Sequence, residues 1–242
     1  MYSHQYLAGD FFHDIYAKKN IVSVLERELA SPSWKREVVN IGGVTDSYQP
    51  AEKTMRLMPD ILKLMIRHKT PVIISSKSDL ILRDYDLIDE LSRITYVNIA
   101  ETVTVADEKV RSAIEPNSAG FELRMAVLRE FAKTNASTGL HMMPIIPYVT
   151  DSTENIEAVF SSAADCAVSY VLTGTLYLRG NTRPLFLDFM KKTYPAKYDV
   201  FCSLYAAGAA DKGYKTELYA KVNALRRKYN LSSDYSTPMK EK

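Results

Sequence analysis

The sequence lacks the features that mark membrane-spanning and exported proteins. No apolar run approaches the roughly 18 residues that a membrane span requires. The first twenty residues have neither the basic start nor the apolar middle of a signal peptide. These absences favour a cytoplasmic protein with no membrane partner.

Cysteine and histidine are scarce, and their spacing argues against a metal centre. Cys166 and Cys202, the two cysteines, lie 36 positions apart, so there is no CxxC or CxxxC pair. None of the four histidines has a partner at HxH or HxxxH spacing. The sequence therefore predicts neither a disulfide framework nor metal ligands. His141, in "GLHMMP", is predicted to face the interior of the fold.

Nucleotide-binding motifs and strong charge are also missing. There is no Walker motif, and "GTLYLRG" lacks the helix and the acidic residue of a dinucleotide-binding fingerprint. A net charge of +2 and a pI near 8.3 are too mild to indicate nucleic acid. The basic run from Lys221 to Lys228 has two interpretations, a solvated helix face or a contact with a nucleic-acid backbone.

What the chain does contain is an alternation of strands and helices. Amphipathic helical patterns, such as the one over 51–69, separate short apolar segments typical of buried strands. This order predicts an α/β fold with parallel strands and right-handed crossovers. Five clear strands, with a possible sixth, favour an incomplete barrel followed by a helical C-terminal tail. We expect one domain over 1–235 and a disordered end over 236–242. The predicted strands cover 36–43, 71–76, 96–105, 139–147 and 167–176.

Polar residues collect where the predicted strands end, which is where sites form in such folds. The first strand stops on two glycines and the second runs into Lys77. An ammonium, short hydroxyls and accessible glycine backbone suit a small zwitterionic or hydroxyl-rich ligand. The alternative interpretation is that these residues only form turns and helix caps.

Several ordered segments resemble one known family. The quoted stretches begin with "IYAKKN" and "ERELA", followed by "IGGVTDSYQPAEK", "SSKSDLILRDYDLIDELS", "DEKVRSAIEPNSAGFELRM" and "GLHMMPIIPYVTD". In this order they resemble the radical S-adenosylmethionine superfamily, specifically the group related to spore photoproduct lyase. The resemblance implies a partial (β/α)6 TIM-like barrel and S-adenosylmethionine as the small-molecule cofactor.

The resemblance also implies roles for particular residues. The glycine turn would approach the amino group of the cofactor, Lys77 would pair with its carboxylate, and Thr102 or Thr104 would stand near the ribose. Arg83 and Arg124 would organise the pocket or a phosphate-bearing substrate. The implied cofactor-binding set is Gly42, Gly43, Thr45, Asp46, Lys77, Thr102, Thr104 and Arg124, and the implied substrate set is Tyr48, Gln49 and Arg83.

Two departures from the family pattern bear on activity. The CxxxCxxC segment that holds a [4Fe–4S] cluster would stand just before "YSHQYLAGD", and it is absent. We therefore expect this chain to be inactive alone, and a full-length form to cleave S-adenosylmethionine reductively to a 5′-deoxyadenosyl radical. The hydrogen-donating cysteine of true spore photoproduct lyases is replaced by Gly43 or Val44, so DNA repair by that lyase mechanism is not implied.

Two alternatives stay open at this point. One is a cluster-free barrel that binds a nucleotide or nucleic acid without radical chemistry. The other is a decayed, non-catalytic relative with no affinity for S-adenosylmethionine. The sequence predicts no oligomeric state.

Overall fold

The computed structural model describes residues 15–180 and 182–235. The tail predicted over 236–242 and the first fourteen residues of the predicted domain lie outside these ranges. In the described residues, no helix is long and apolar enough to cross a membrane.

Five parallel strands form one sheet, and their order in space is their order in the chain. Every helical crossover connects a strand to its immediate neighbour in the same direction. The helices therefore cover one face of the sheet, and the other face lines the lumen of the partial barrel. The predicted class, an α/β partial barrel, is confirmed. The strands are β1 (Val39–Ile41), β2 (Val72–Ser76), β3 (Val97–Thr102), β4 (Ser137–Ile145) and β5 (Tyr170–Thr175).

Ten α-helices occur within the described ranges, and three of them, all after β5, form the predicted helical C-terminal region. They are α1 (Ile21–Leu29), α2 (Glu52–Met55), α3 (Leu57–His68), α4 (Tyr85–Ile94), α5 (Glu108–Ile114), α6 (Phe121–Phe131), α7 (Thr153–Asp165), α8 (Thr182–Thr193), α9 (Tyr198–Leu204) and α10 (Lys212–Lys228). Short 3₁₀ helices cover Asp79–Asp84 and Pro195–Lys197.

Strand β2 shows how the sheet separates its two faces. Val72 and Ile74 are fully buried against helices, in a cluster that includes Leu62 of α3. Ile73 and Ser75, which alternate with them, line the lumen. Burial of each large apolar side chain contributes about 1.5–3 kcal/mol, so the helix-facing side of the sheet holds the domain together and the lumen side is available for polar groups.

The single helix predicted over 51–69 is wrong, because the chain forms two helices there. Arg56 adopts a left-handed conformation with φ of 48° and separates α2 from α3. The buried Glu52 carboxylate accepts hydrogen bonds from the backbone N–H groups of Leu57 and Met58, both at 3.0 Å. It thereby satisfies the first turn of α3, whose donors have no partner within the helix. Apolar periodicity continues across this break, which is why the break is not visible in the pattern.

In the lumen, a tyrosine from β5 lies directly over a glycine of β4. A Cβ atom on Gly139 would stand 2.0 Å from Cζ of Tyr170, so only glycine leaves room for the ring. The Tyr170 hydroxyl donates to Oδ1 of Asn98 at 2.8 Å. A polar bridge therefore crosses the lumen from β5 to β3.

We expect Gly139→Ala to lower the free energy of unfolding by about 1–3 kcal/mol, because the new methyl group overlaps the Tyr170 ring. Urea unfolding measures this cost. Gly120→Ala is the matched control, since its Cβ would meet its nearest neighbour at an ordinary 3.6 Å. The cost should shrink in a Tyr170→Leu background. An equal cost in both backgrounds would show that the ring is not its cause.

Candidate functional site

A polar cavity of about 210 Å³ opens at the carboxyl ends of β1, β2 and β3. We call it the mouth cavity. Six of the eight residues predicted to bind the cofactor line it, so the structure brings most of that set together. Its lining consists of Gly42, Gly43, Val44, Thr45, Asp46, Ser75, Ser76, Lys77 and Thr102. Which ligand they bind stays a prediction.

The glycine turn, residues 42–46, packs tightly against β2. Gly42 has a φ of +92°, and a Cβ atom there would stand 2.2 Å from the backbone oxygen of Ser75. No L-residue fits that space in that conformation. Gly42 therefore lets the main chain after β1 approach that of β2 at the cavity wall, whereas a Cβ atom on Gly43 would meet only the Asn40 side chain, at 3.4 Å.

Asp46 is a structural anchor of the cavity. Its carboxylate accepts hydrogen bonds from the backbone N–H groups of Tyr48 at 2.8 Å and Lys77 at 2.7 Å, and from the Ser76 hydroxyl at 3.0 Å. These bonds tie the glycine turn to the end of β2. Because its oxygens already have three donors, Asp46 shapes the cavity wall more than it offers a free charge to a ligand.

Unlike the Asp46 carboxylate, which has three hydrogen-bond donors, the ammonium group of Lys77 has no ion-pair partner in the described residues. The backbone N–H of Lys77 is held by Asp46, and the residue lines the mouth cavity. A cation that lines a cavity and lacks an internal partner is available to an anionic ligand group.

The two threonines predicted to stand near a ribose have different environments. Thr102 lines the mouth cavity. Thr104 is 1% exposed, its hydroxyl has no partner within the described residues, and it lies outside the cavity lining. Of the two threonines, Thr102 is the one that lines the cavity, and its role toward a ribose stays a prediction.

Arg124 also lies outside the cavity lining, although it hydrogen-bonds to the backbone of Thr102, which lines the cavity. It is 1% exposed, donates to the backbone oxygens of Thr102 and Ala119, bonds Ser118, and pairs with Glu115 at 2.9 Å. A guanidinium with this many internal partners positions β3 and has little capacity left for a ligand.

The residues predicted to contact substrate occupy a second network. Tyr48 is 1% exposed, and its hydroxyl donates to Asp84 at 3.2 Å. Arg83 pairs with Asp84 and with Glu52, both at 2.7 Å. Gln49 is partly exposed in the adjoining turn. None of the three lines the mouth cavity, and their role toward a substrate stays a prediction.

Glu101 was not among the predicted site residues. It is 0% exposed, and neither carboxylate oxygen has a hydrogen-bond partner in the described part of the chain. Burial raises the pKa of its carboxyl group well above the usual range, and Asp46 raises it further, whereas Arg124 and Lys77 oppose the shift. The sequence feature that could have indicated this residue is an acidic side chain at the end of an apolar strand, in "VNIAET".

The lumen contains a smaller cavity of about 90 Å³, which we call the lumen cavity. It is lined by Asn40, Ile73, Ser75, His141, Tyr170, Leu172 and Tyr235. His141 thus faces the interior, as predicted. Burial and the charge of Lys77 lower the pKa of its imidazole to about 4, so the ring is neutral at physiological pH. The sequence did not predict Tyr170 as a residue of this cavity, because a single tyrosine at the start of a strand does not indicate a site.

The basic run in α10 is engaged mainly within the fold. Lys221 donates to the backbone oxygen of Asp151, Lys228 pairs with Glu157, and Arg226 donates to the backbone oxygens of Val171 and Ser232. These contacts favour the structural interpretation of the run over a nucleic-acid contact.

The described residues do not fit an iron–sulfur cluster. They contain no group of three or more His, Cys, Asp or Glu side chains that could hold a metal ion. Cys166 is buried beside Met125, and Cys202 is half-buried on α9. The two thiols of the sequence are one short of the three that a CxxxCxxC segment supplies.

The solved structures similar to this fold include spore photoproduct lyase variants. One cysteine-to-serine variant aligns with a TM-score of 0.64 and 11% identity, covering 89% of this chain. A structure of another variant, with bound AdoMet and dinucleoside spore photoproduct, aligns with a TM-score of 0.60. The present chain spans 65% of the length of these lyase chains. At this identity, the likeness shows the fold alone.

Together, fold and cavity define an α/β partial barrel of the spore photoproduct lyase type with a polar cavity at its strand ends. The chain belongs to the family of the uncharacterized protein Rv2578c of Mycobacterium tuberculosis. The two are 30% identical over 238 residues, which cover 96% of this chain and 70% of the relative. Mb2609c of Mycobacterium bovis matches equally, and MJ0683 of Methanocaldococcus jannaschii is 26% identical over 190 residues. No protein-family model matches the chain.

The neutral state of His141 predicts a pH dependence of stability. The unfolded chain takes up this proton near pH 6.5, whereas the folded protein does so only near pH 4. The contribution of His141 is therefore present above pH 6.5 and is lost as the pH falls toward 4, by at most about 1.4 kcal/mol per pH unit. Urea unfolding should show that His141→Asn lacks this component. A wild-type pH profile in the variant would contradict the prediction.

Proposed function

We propose that the mouth cavity binds the methionine part of S-adenosylmethionine. The observation that carries the proposal is the Lys77 ammonium, which has no carboxylate partner within the described residues and lies in a cavity whose other wall is the glycine turn. An aminocarboxylate needs a cation for its carboxylate and oxygen acceptors for its ammonium group, and this cavity supplies both.

The donor set fits that part of the cofactor. Lys77 would hold the carboxylate, and the Thr45 hydroxyl with the backbone oxygens of the glycine turn would accept from the ammonium group. Thr102, on the third strand, would face the ribose. A cavity of about 210 Å³ suits an amino-acid end group, and the resemblance of the glycine and lysine segments to the radical S-adenosylmethionine group supports the choice of ligand.

For this chain the proposal is confined to binding. Radical cleavage of S-adenosylmethionine needs an electron from a [4Fe–4S] cluster, and its three thiolates exceed the two cysteines present. We propose that a form carrying the CxxxCxxC segment generates the 5′-deoxyadenosyl radical. We assign no substrate to that radical. Because Gly43 or Val44 stands where the lyases have their hydrogen-donating cysteine, we do not propose thymine-dimer repair by the lyase mechanism.

Calorimetric titration with S-adenosylmethionine tests the proposal. We expect the wild-type chain to bind with a Kd of about 1 mM or tighter, about −4 kcal/mol. Lys77→Ala should weaken binding roughly tenfold or more, because a hydrogen bond to a charged group contributes about 1.5–3 kcal/mol. Lys109→Ala, which removes an exposed lysine of α5 outside the cavity, is the charge-matched control and should bind like the wild type.

Three results would contradict the proposal. Equal affinity in the Lys77→Ala variant and the wild type would remove the mouth cavity from the binding site. Binding of adenosine monophosphate with no binding of S-adenosylmethionine would favour the cluster-free nucleotide-binding alternative. Absence of heat with both ligands would favour the non-catalytic relative.

A further inference from the structure

Glu101 neighbours two residues of the mouth-cavity lining. Its register partner on β2 is Ser76, and the next residue along β3 is Thr102, and both of these line the cavity. On its other side, its partner on β4 is the buried, apolar Leu140. The acid thus lies between residues of the cavity lining and an apolar neighbour.

Charged groups on the surrounding elements act electrostatically on Glu101, and in the described residues neither of its carboxylate oxygens has a hydrogen-bond partner. Asp46 approaches from the glycine turn, Lys77 and Asp79 from the segment after β2, and Arg124 from α6. The two acids disfavour a negative charge on Glu101, and the two bases favour it.

Neither base is available to neutralise this acid fully. Arg124 is committed to backbone oxygens and to Glu115. Lys77 lies at the cavity and makes no hydrogen bond to Glu101. A fully buried carboxylate without a hydrogen-bond donor is too costly to persist, so the free protein holds Glu101 in its neutral form.

We infer that Glu101 is the proton-exchanging acid of the mouth cavity: it carries a proton in the free protein and releases it when a positively charged ligand group occupies the cavity. This inference rests on the proposed function, since it concerns the same cavity and a zwitterionic, cationic-sulfur ligand. The O–H bond of Glu101 breaks, its proton passes to solvent buffer, and the carboxylate left behind balances the added positive charge.

Infrared difference spectroscopy tests whether Glu101 is protonated in the free protein. Spectra of the free protein at neutral pH, wild type minus Glu101→Gln, should contain the carbonyl band of a protonated carboxylic acid. Glutamine has the shape of the neutral acid, so the variant should fold, and Glu101→Leu provides the same subtraction if it does not. Glu122→Gln, at an exposed acid of α6, is the control and should keep the band.

Calorimetry with S-adenosylmethionine in two buffers of different ionisation enthalpy tests the second half. The wild type should release up to about one proton per ligand, so its affinity should rise by up to about tenfold per pH unit. Glu101→Gln should bind without this release and with a flatter pH dependence. Addition of the ligand should also remove the infrared band of the wild type.

The possible outcomes separate the two proposals. No protonated-acid band in the free protein overturns the inference, whether or not the ligand binds. Binding with the same proton release in the wild type and Glu101→Gln overturns the inference and leaves the proposed function intact. No binding in any variant overturns both.

Discussion

The site depends on one carboxylate. Asp46 gathers two backbone N–H groups and a hydroxyl, and so joins the turn after β1 to the end of β2. Hydrogen bonds to an ionised acceptor are among the stronger ones in proteins. With that anchor in place, the Gly42 backbone lies against β2 and the Lys77 side chain is left at the cavity. Without it, the hydrogen bonds that join the glycine turn to the backbone of Lys77 would be lost.

Most other charges near the site hold the barrel together. Arg83, Glu52 and Asp84 form a compact network that also caps α3. Arg124 fastens the end of β3 to the segment before α6. Buried ionic groups need partners, and once they have them they offer little to a ligand. In the described residues, Lys77 and Glu101 have no such partner, and they are the two groups to which the proposals above assign a part in ligand binding.

This division also clarifies how the chain relates to its relatives. The partial barrel and the cavity wall come from the strand order and the glycine turn, which both lie in the described residues. In the function proposed here, cofactor binding would involve the mouth cavity, and radical generation would need a separate thiolate segment. The proposed binding can therefore be tested on this chain without radical chemistry.

The sequence by itself determined the α/β class, the five strands, the inward-facing His141 and most of the cavity lining. These depend on local periodicity and on the rule that parallel strand ends meet at one edge. Only tertiary structure decided the split between α2 and α3, the location of Thr102 but not Thr104 in the cavity lining, and the lack of a hydrogen-bond partner for Glu101 in the described residues. Each depends on partners that are far away in the chain, and no local pattern records whether a buried polar group finds one.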